Sequence, residues 1–315
     1  MTSEPVPMPV ISIVVPVYRG ESCLDELHRR LVAALEPIVP RFEIVLIEDC
    51  GPDHSWPRIR ELAARDPRVR GVQFSRNFGQ HRAITAGIDV ARGDWIVVMD
   101  CDLQDRPEEI PRLYAAAQSG VDIVLARRQR RRDGLVKRAT SAMFYAVFQY
   151  LTELNYDGSV GNFRIISRQV ADSFRTVKEQ MRFFGGIVTW LGYRVGSIDV
   201  QHDERFAGET SYTWRKLIEL AAQTIVAHSD KPLRLAIRFG FLLAFGALAF
   251  GVWVIIRALR GGVQVSGWAS LMVSIYFLSG VILGFMGILG LYLGRVFDEV
   301  KGRPLYVVRE TTFGA

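Results

Sequence analysis

The 315-residue sequence is short of the groups that build soft-metal sites and disulfide frameworks: it holds three cysteines and five histidines. Cys23, Cys50 and Cys101 are far apart and form no CxxC pair or Cys/His ligand spacing, which argues against a zinc module or a disulfide scaffold and fits a reducing, cytoplasmic setting. No signal peptide is evident, because a short Pro-containing stretch runs straight into the β-branched run Ile11–Val15. Charge is absent from two stretches of the last quarter, Phe239 to Ile256 and the longer Val263 to Gly294. Each is long enough to cross a hydrocarbon core of ~30 Å.

Mean hydropathy is positive, +0.15, although 23% of residues are charged. The apolar residues are therefore concentrated, and composition splits the chain near Arg238. Lys231, Arg234, Arg238, Arg295, Lys301 and Arg303 flank the two apolar stretches, against Arg257 and Arg260 in the link between them. This bias predicts a two-helix transmembrane hairpin with both outer ends in the cytoplasm, a multi-pass arrangement in a bacterial inner membrane. Glycines 280, 284, 287, 290 and 294 have a spacing suited to close helix pairing, within the hairpin or between protomers. The net charge of +6 draws on Arg127, Arg128, Arg130, Arg131, Arg132, Lys137 and Arg138. A solvated basic face would account for the run. Beside membrane segments it points to lipid head groups or phosphorylated substrates rather than nucleic acid.

Upstream, short β-branched runs at Ile11–Tyr18, Phe42–Asp49, Val69–Phe74, Trp95–Asp100 and Ile123–Ala126 alternate with helix-length segments. The pattern predicts an α/β fold with a mostly parallel sheet. Ligands of such sheets bind beyond the strands' carboxyl ends, where Glu48-Asp49 and Asp100-Cys101-Asp102 fall. A helix is expected over Lys137–Glu153, serving either the core or the membrane interface. Either acidic cluster can be a helix cap. Together they suit a nucleotide diphosphate held with Mg2+ or Mn2+, hard cations that prefer carboxylate, phosphate and water oxygens.

Val14-Val15-Pro16-Val17-Tyr18, Glu48-Asp49, Ser75-Arg76-Asn77-Phe78-Gly79, Asp100-Cys101-Asp102-Leu103-Gln104-Asp105 and Arg205-Phe206-Ala207-Gly208-Glu209-Thr210 occur in that order. In this, nearly the whole chain resembles the family 2 polyprenyl-phosphate glycosyltransferases: dolichyl-phosphate mannose synthases, undecaprenyl-phosphate glucosyltransferases and formamido-arabinose transferases. The resemblance implies a GT-A type, Rossmann-like nucleotide-sugar domain. Its core would span 1–136 and be completed by acceptor-side helices and a mobile loop over 137–230. Transmembrane helices follow within 231–297, about 236–258 and 267–294, and then a cytoplasmic tail over 298–315. It implies that Pro16, Tyr18, Glu48, Asp49, Arg76, Asn77, Gly79, Asp100 and Gln104 bind the donor, with Asp49 on the base and Asp100 on the ribose. Asp102 would hold the metal with Gln104 near it, and Asp100, Asp102 and Arg205 would carry catalysis. Arg127, Arg131, Asn162 and Arg164 would face the acceptor phosphate. Some relatives are tetramers, so a homo-oligomer is among the implied partners.

The sequence departs from the family at Gly161-Asn162-Phe163-Arg164, where many relatives have aspartate second, and at Thr210-Ser211-Tyr212, where Ser-Lys is common. Asparagine cannot act as a base. A phosphate monoester, with a second pKa near ~6, arrives largely ionised and needs none. The expected reaction is inverting transfer of one sugar, from a UDP-sugar more readily than a GDP-sugar, to undecaprenyl phosphate. A polysaccharide-extending enzyme is disfavoured by the lack of a QxxRW motif. A non-catalytic scaffold is disfavoured by the intact Asp100, Asp102, Gln104 and Arg205.

Overall fold

The computed structural model describes residues 8–128, 150, 160–201, 203, 229–260 and 267–314. The chain forms two compact units. Residues 1–140, 156–211 and 303–315 make the first, and 141–155 and 212–302 the second.

The first unit is a sheet covered on both faces. Its strands are β1 (Ile11–Val17), β2 (Phe42–Glu48), β3 (Val69–Phe74), β4 (Trp95–Val98), β5 (Ile123–Arg128), β6 (Val160–Ser167), β7 (Val195–Val200) and β8 (Val308–Thr311), in the order β7-β5-β6-β4-β1-β2-β3-β8. The pairs β1–β2, β1–β4, β2–β3 and β5–β7 are parallel, while β6 and β8 run antiparallel to their neighbours. All seven residues of β1 and of β2 are buried, as unbroken apolar runs in a two-sided sheet should be.

Side chains alternate across the sheet, so each face has its own core. Ile11, Ile13, Val15 and Val17 meet one set of helices. These are α1 (Leu24–Leu35), α2 (Ser55–Arg65) and α4 (Ile110–Ala117), the last entered by a 3-10 turn over Pro107–Glu109. Helix α1 places Leu24, Leu27, Leu31 and Leu35 on one side, a spacing of three to four residues that makes a single apolar stripe. Val14, Val45 and Ile47 meet the other set: α3 (Gln80–Val90), α5 (Arg168–Thr176) and α6 (Phe184–Trp190). Gly87 lets α3 lie directly on β1, since a Cβ there would fall 2.2 Å from Val14 Cγ1.

Asp66 ties the end of α2 to α1. It accepts from Arg68 N and Nε, both 2.9 Å, and bonds His28 Nε2 at 2.8 Å. Burial opposes its ionisation, but the bonds from Arg68 and His28 outweigh burial and hold its pKa down to about 2. A folded-state pKa below the ordinary value contributes stability that is complete above pH ~4 and is lost as pH falls toward ~2. Arg68 is partly exposed, which screens the pairs, so roughly 1–2 kcal/mol is at stake. The thermal midpoint of the wild type is expected to exceed that of Asp66→Asn at pH 6, with the gap narrowing to about a third by pH 2.5. A gap independent of pH would refute the assignment.

Strands β6, β7 and β8 were not anticipated. The stretch expected to be a tail, 298–315, instead ends in β8 at the edge of the sheet. Strand β4 stops at Val98, two residues before its expected end. Most of the helix expected over Lys137–Glu153 lies outside the described residues, as do Arg131 and Arg205.

The second unit contains α7 (Lys231–Leu259) and α8 (Trp268–Val300), both with segments long and apolar enough to cross a membrane. Phe241, Phe245, Leu283 and Leu293 are each at least 68% exposed, the kind of apolar surface that marks a membrane or protein contact. The two helices meet where Phe239 packs edge-on against Phe285, ring centroids 6.2 Å apart. The glycines of α8 are not part of that contact. A Cβ built on Gly280, Gly284, Gly287, Gly290 or Gly294 would meet nothing within 4 Å, so among the described residues nothing packs on the stripe.

Candidate active site

The strand order reverses at β1, with β2 and β3 on one side and β4 on the other. A ligand crevice opens at such a switch point, beyond the carboxyl ends of the strands. Pro16 helps to make it. Even-numbered residues of β1 face β4, as the bond from Met99 N to Val14 O (3.2 Å) shows, and the β1–β4 pairing ends at Val14 and Val98. Pro16 is the next residue on that side and has no N–H to extend the ladder. It is buried, so it shapes the crevice through the backbone rather than by exposing its ring.

Each strand bordering the crevice is followed by a non-glycine residue in the left-handed region: Arg19 (φ 56°), Cys50 (φ 50°) and Leu103 (φ 61°). Such residues cost about 1–3 kcal/mol each and cluster at functional sites. Here they turn the chain directly after Tyr18, Asp49 and Asp102. Tyr18 is exposed, with the Arg19 guanidinium 5.5 Å from its ring centroid. The Cys101 thiol is pushed up to about 12 by burial and then by Asp100.

Asp49 organises the loop that follows β3. Its carboxylate is 3% exposed and accepts from Phe78 N (2.6 Å) and Gly79 N (2.9 Å). It thereby fixes the loop 75–79, and burial raises its pKa. Gly79 caps α3 at φ 96°, ψ 154°, a conformation open in practice to glycine alone. The exposed residues of this loop are Ser75, Arg76 and Asn77, with Arg76 stacked 4.3 Å over the Phe78 ring. Glu48 is 2% exposed and accepts from Gly51 N at 2.5 Å, holding its own turn rather than facing the crevice.

Asp100 follows β4 and accepts from Gln80 Nε2 (2.7 Å) and Asn162 Nδ2 (3.4 Å). Its carboxyl is pushed up to about 6 by burial, then by Asp105 and Asp102. Asp102 Oδ1 accepts from Gln104 N at 3.1 Å, so the contact that the structure gives Gln104 here comes from its backbone. Arg128 Nη2 lies 3.4 Å from Asp105 Oδ1 and packs on Gly161. Arg127 points the other way, bonding Ser197 and facing Asp199 at 3.8 Å. Neighbouring residues of a strand face opposite sides, so the arginine beside the acidic cluster is Arg128 and not Arg127. Arg164 is 4% exposed, bonded to Gly161 O (2.7 Å) and set over the Phe184 ring (4.9 Å), which makes it part of the floor. His81 stands edge-on to Phe183 (5.3 Å). It is held neutral, its pKa lowered to about 4 by burial and then by Arg164 and Arg82.

Gln80 and Arg128 were missed as site residues. Strand alternation could have flagged Arg128, and the start of α3 at a strand's carboxyl end could have flagged Gln80. Among the described residues no three His, Cys, Asp or Glu groups form a metal site by themselves. The crowded Asp100, Asp102 and Asp105 fit a hard divalent cation that completes its shell with ligand phosphate and water, and that would relieve their repulsion.

The model of Glycosyl transferase family 2 matches residues 12–178, from β1 through α5. The chain is 38% identical over 301 residues to an uncharacterized glycosyltransferase of Bacillus subtilis (strain 168), covering 95% of this chain and 93% of that one. It is 38% identical over 305 residues to the SfII prophage-derived bactoprenol glucosyl transferase of Shigella flexneri, covering 96% and 99%. Among solved structures, glucosyl-3-phosphoglycerate synthase from Mycobacterium tuberculosis, in complex with Mn2+, UDP-glucose and phosphoglyceric acid, matches with a TM-score of 0.50. Identity is 15% over 70% of this chain and 78% of that one, a likeness of fold.

Proposed function

Because the chain belongs to glycosyl transferase family 2, we propose that it is an inverting transferase moving one sugar from a nucleotide-sugar, UDP-linked by preference, to undecaprenyl or another polyprenyl phosphate. The carrying observation is the end-to-end match to a bactoprenol glucosyl transferase, which takes in the sheet unit and both apolar helices. We place the reaction at the cytoplasmic face of the bacterial inner membrane, with α7 and α8 as the two spans.

A phosphate oxygen of the acceptor attacks the anomeric carbon. The bond from that carbon to the diphosphate oxygen breaks, and the nucleoside diphosphate departs with the electron pair. The loop 75–79 holds the nucleoside with Tyr18, and Asp100 orients the ribose from its bonds to Gln80 and Asn162. Asp102 would hold Mg2+ or Mn2+ with Gln104 beside it, and the ion when bound neutralises charge on the departing diphosphate. Arg128 replaces Arg127 as the β5 residue facing the acceptor phosphate, with Arg164 below. Arg205 and Arg131 keep the roles that resemblance gives them, near the diphosphate and near the acceptor phosphate.

Asn162 cannot accept a proton, and it is already engaged with Asp100. The acceptor's own charge makes a base unnecessary, so Asn162→Asp is expected to leave kcat within about threefold at pH 7.5. A tenfold gain would show that the native reaction lacks a base it needs. The broader test incubates the purified full chain with undecaprenyl phosphate and a panel of nucleotide-sugars, with and without Mn2+. A lipid-linked monosaccharide formed only with metal supports the reading. A growing glycan would favour a polysaccharide-extending enzyme, and neither transfer nor donor hydrolysis would favour a scaffold.

A further inference from the structure

We propose that the C-terminal segment 303–308, which follows the second apolar helix, is a positioning element of the donor pocket, with Tyr306 as its main positioning residue. This rests on the reading of loop 75–79 as the donor loop.

The segment holds the strand end of that loop directly and reaches its helix end through Gln180 and Arg82. On the strand side, Ser75 N donates to Val307 O (2.9 Å), so the backbone is held at the residue where β3 gives way to the loop. The Tyr306 ring stacks on Phe74 (5.1 Å between centroids, 17° between planes), and Phe74 meets Phe78 edge-on (5.5 Å, 86°). The Tyr306 hydroxyl donates to Asp89 Oδ2 in the last turn of α3 (2.7 Å), which anchors the ring to the body of the helix rather than to the loop. Gln180 Nε2 donates to Arg303 O (2.7 Å), while Gln180 O accepts from Arg82, which also donates to Phe78 O (3.0 Å).

Phe78 lies at the centre of these contacts. Its N–H is one of the two that Asp49 accepts, and its ring carries Arg76. Arg76 and Asn77 are exposed, so their direction follows the backbone of Phe78. The contacts of Tyr306 are with Phe74 and Asp89, neither of which is among the residues proposed to meet the donor. Tyr306 sets Phe74, Phe74 sets Phe78, and Phe78 sets the side chains that would meet a nucleoside. A stacked aromatic pair is worth ~0.5–1.5 kcal/mol beyond its buried area, and the fully buried Phe74 passes a change in the stack to its neighbours through shape. Loss of the stack should therefore weaken donor binding about three- to tenfold and leave the chemical step alone.

The test uses the full chain in detergent, titrated with UDP and Mn2+ by calorimetry and assayed for transfer. Tyr306→Ala and Tyr306→Leu are expected to weaken UDP binding and raise the donor KM about three- to tenfold, with kcat and the acceptor KM within about twofold of wild type. Tyr306→Phe keeps the stack without the Asp89 bond and should restore donor KM to within about twofold. Tyr306→Leu fills most of the volume, which guards against a collapse of Tyr306→Ala. Unchanged UDP affinity in Tyr306→Leu overturns the proposal, and so does a loss shared by kcat, both KM values and the thermal midpoint. A wild type that fails to bind UDP would sink the donor-loop reading instead.

Discussion

Asp102→Asn is expected to lower kcat about a hundred- to a thousandfold, the loss typical when one charge-stabilising group is removed from a transition state. The substitution is chosen to spare the fold. Asp102 Oδ1 accepts from Gln104 N, a bond that an asparagine oxygen can keep, and Leu103 at φ 61° holds the turn in either case. What disappears is the negative charge on the oxygens proposed to hold a divalent cation against the diphosphate. The Mn2+ concentration for half-maximal rate should rise in parallel, while the thermal midpoint without metal should hold or increase, because Asp100 and Asp105 lose a like-charged neighbour. A variant with wild-type kcat at saturating donor would remove Asp102 from the mechanism.

Glu43→Ala is expected to cost about 3 kcal/mol of stability, the low end for breaking a buried ion pair from one side. Glu43 is 2% exposed near the start of β2. It accepts from Ser12 Oγ (2.6 Å), Arg92 N (2.6 Å) and Arg70 Nη1 (3.0 Å), and lies 2.9 Å from Arg92 Nη2. Burial works against its charge, yet these partners outweigh burial and its pKa is lowered. Truncation would leave the Ser12 hydroxyl, the Arg92 N–H and a largely buried Arg70 without that acceptor. A fall in thermal midpoint of roughly 6–12 °C should follow for a unit of this size. About 20 Å of strand separates Glu43 from Asp49, so UDP affinity below the transition should be unchanged. A midpoint shift under 2 °C would mean that water replaces the carboxylate at little cost.

The parts of the fold that were legible in the sequence are those where one local signal sufficed. Ile11–Val17 and Phe42–Glu48 are buried on both faces and appear as unbroken apolar runs. Val308–Thr311 is short and mostly exposed, and its place in the sheet depends on pairing with β3 and on Thr312 Oγ1 against Gly71 N and Glu310 against Trp56, partners more than 230 residues away. Strand β6 was hidden in a motif read for its chemistry. In the site, the residue types were legible but their directions were not. Asp49 looks like a ligand contact by position, yet it lies under the loop that it organises. Arg127 and Arg128 are the same chemistry one residue apart, and only the pleat separates them.

Pro16 has a consequence beyond ending a ladder. Two parallel strands that diverge can zip together in the empty protein, and a ligand must then break backbone bonds to enter. Pro16, the next residue of β1 on the β4 side after Val14, has no N–H with which to take that step. A ligand entering there has no β1–β4 bond at Pro16 to break, and the free energy of binding goes to contacts with the ligand instead of prising a sheet apart.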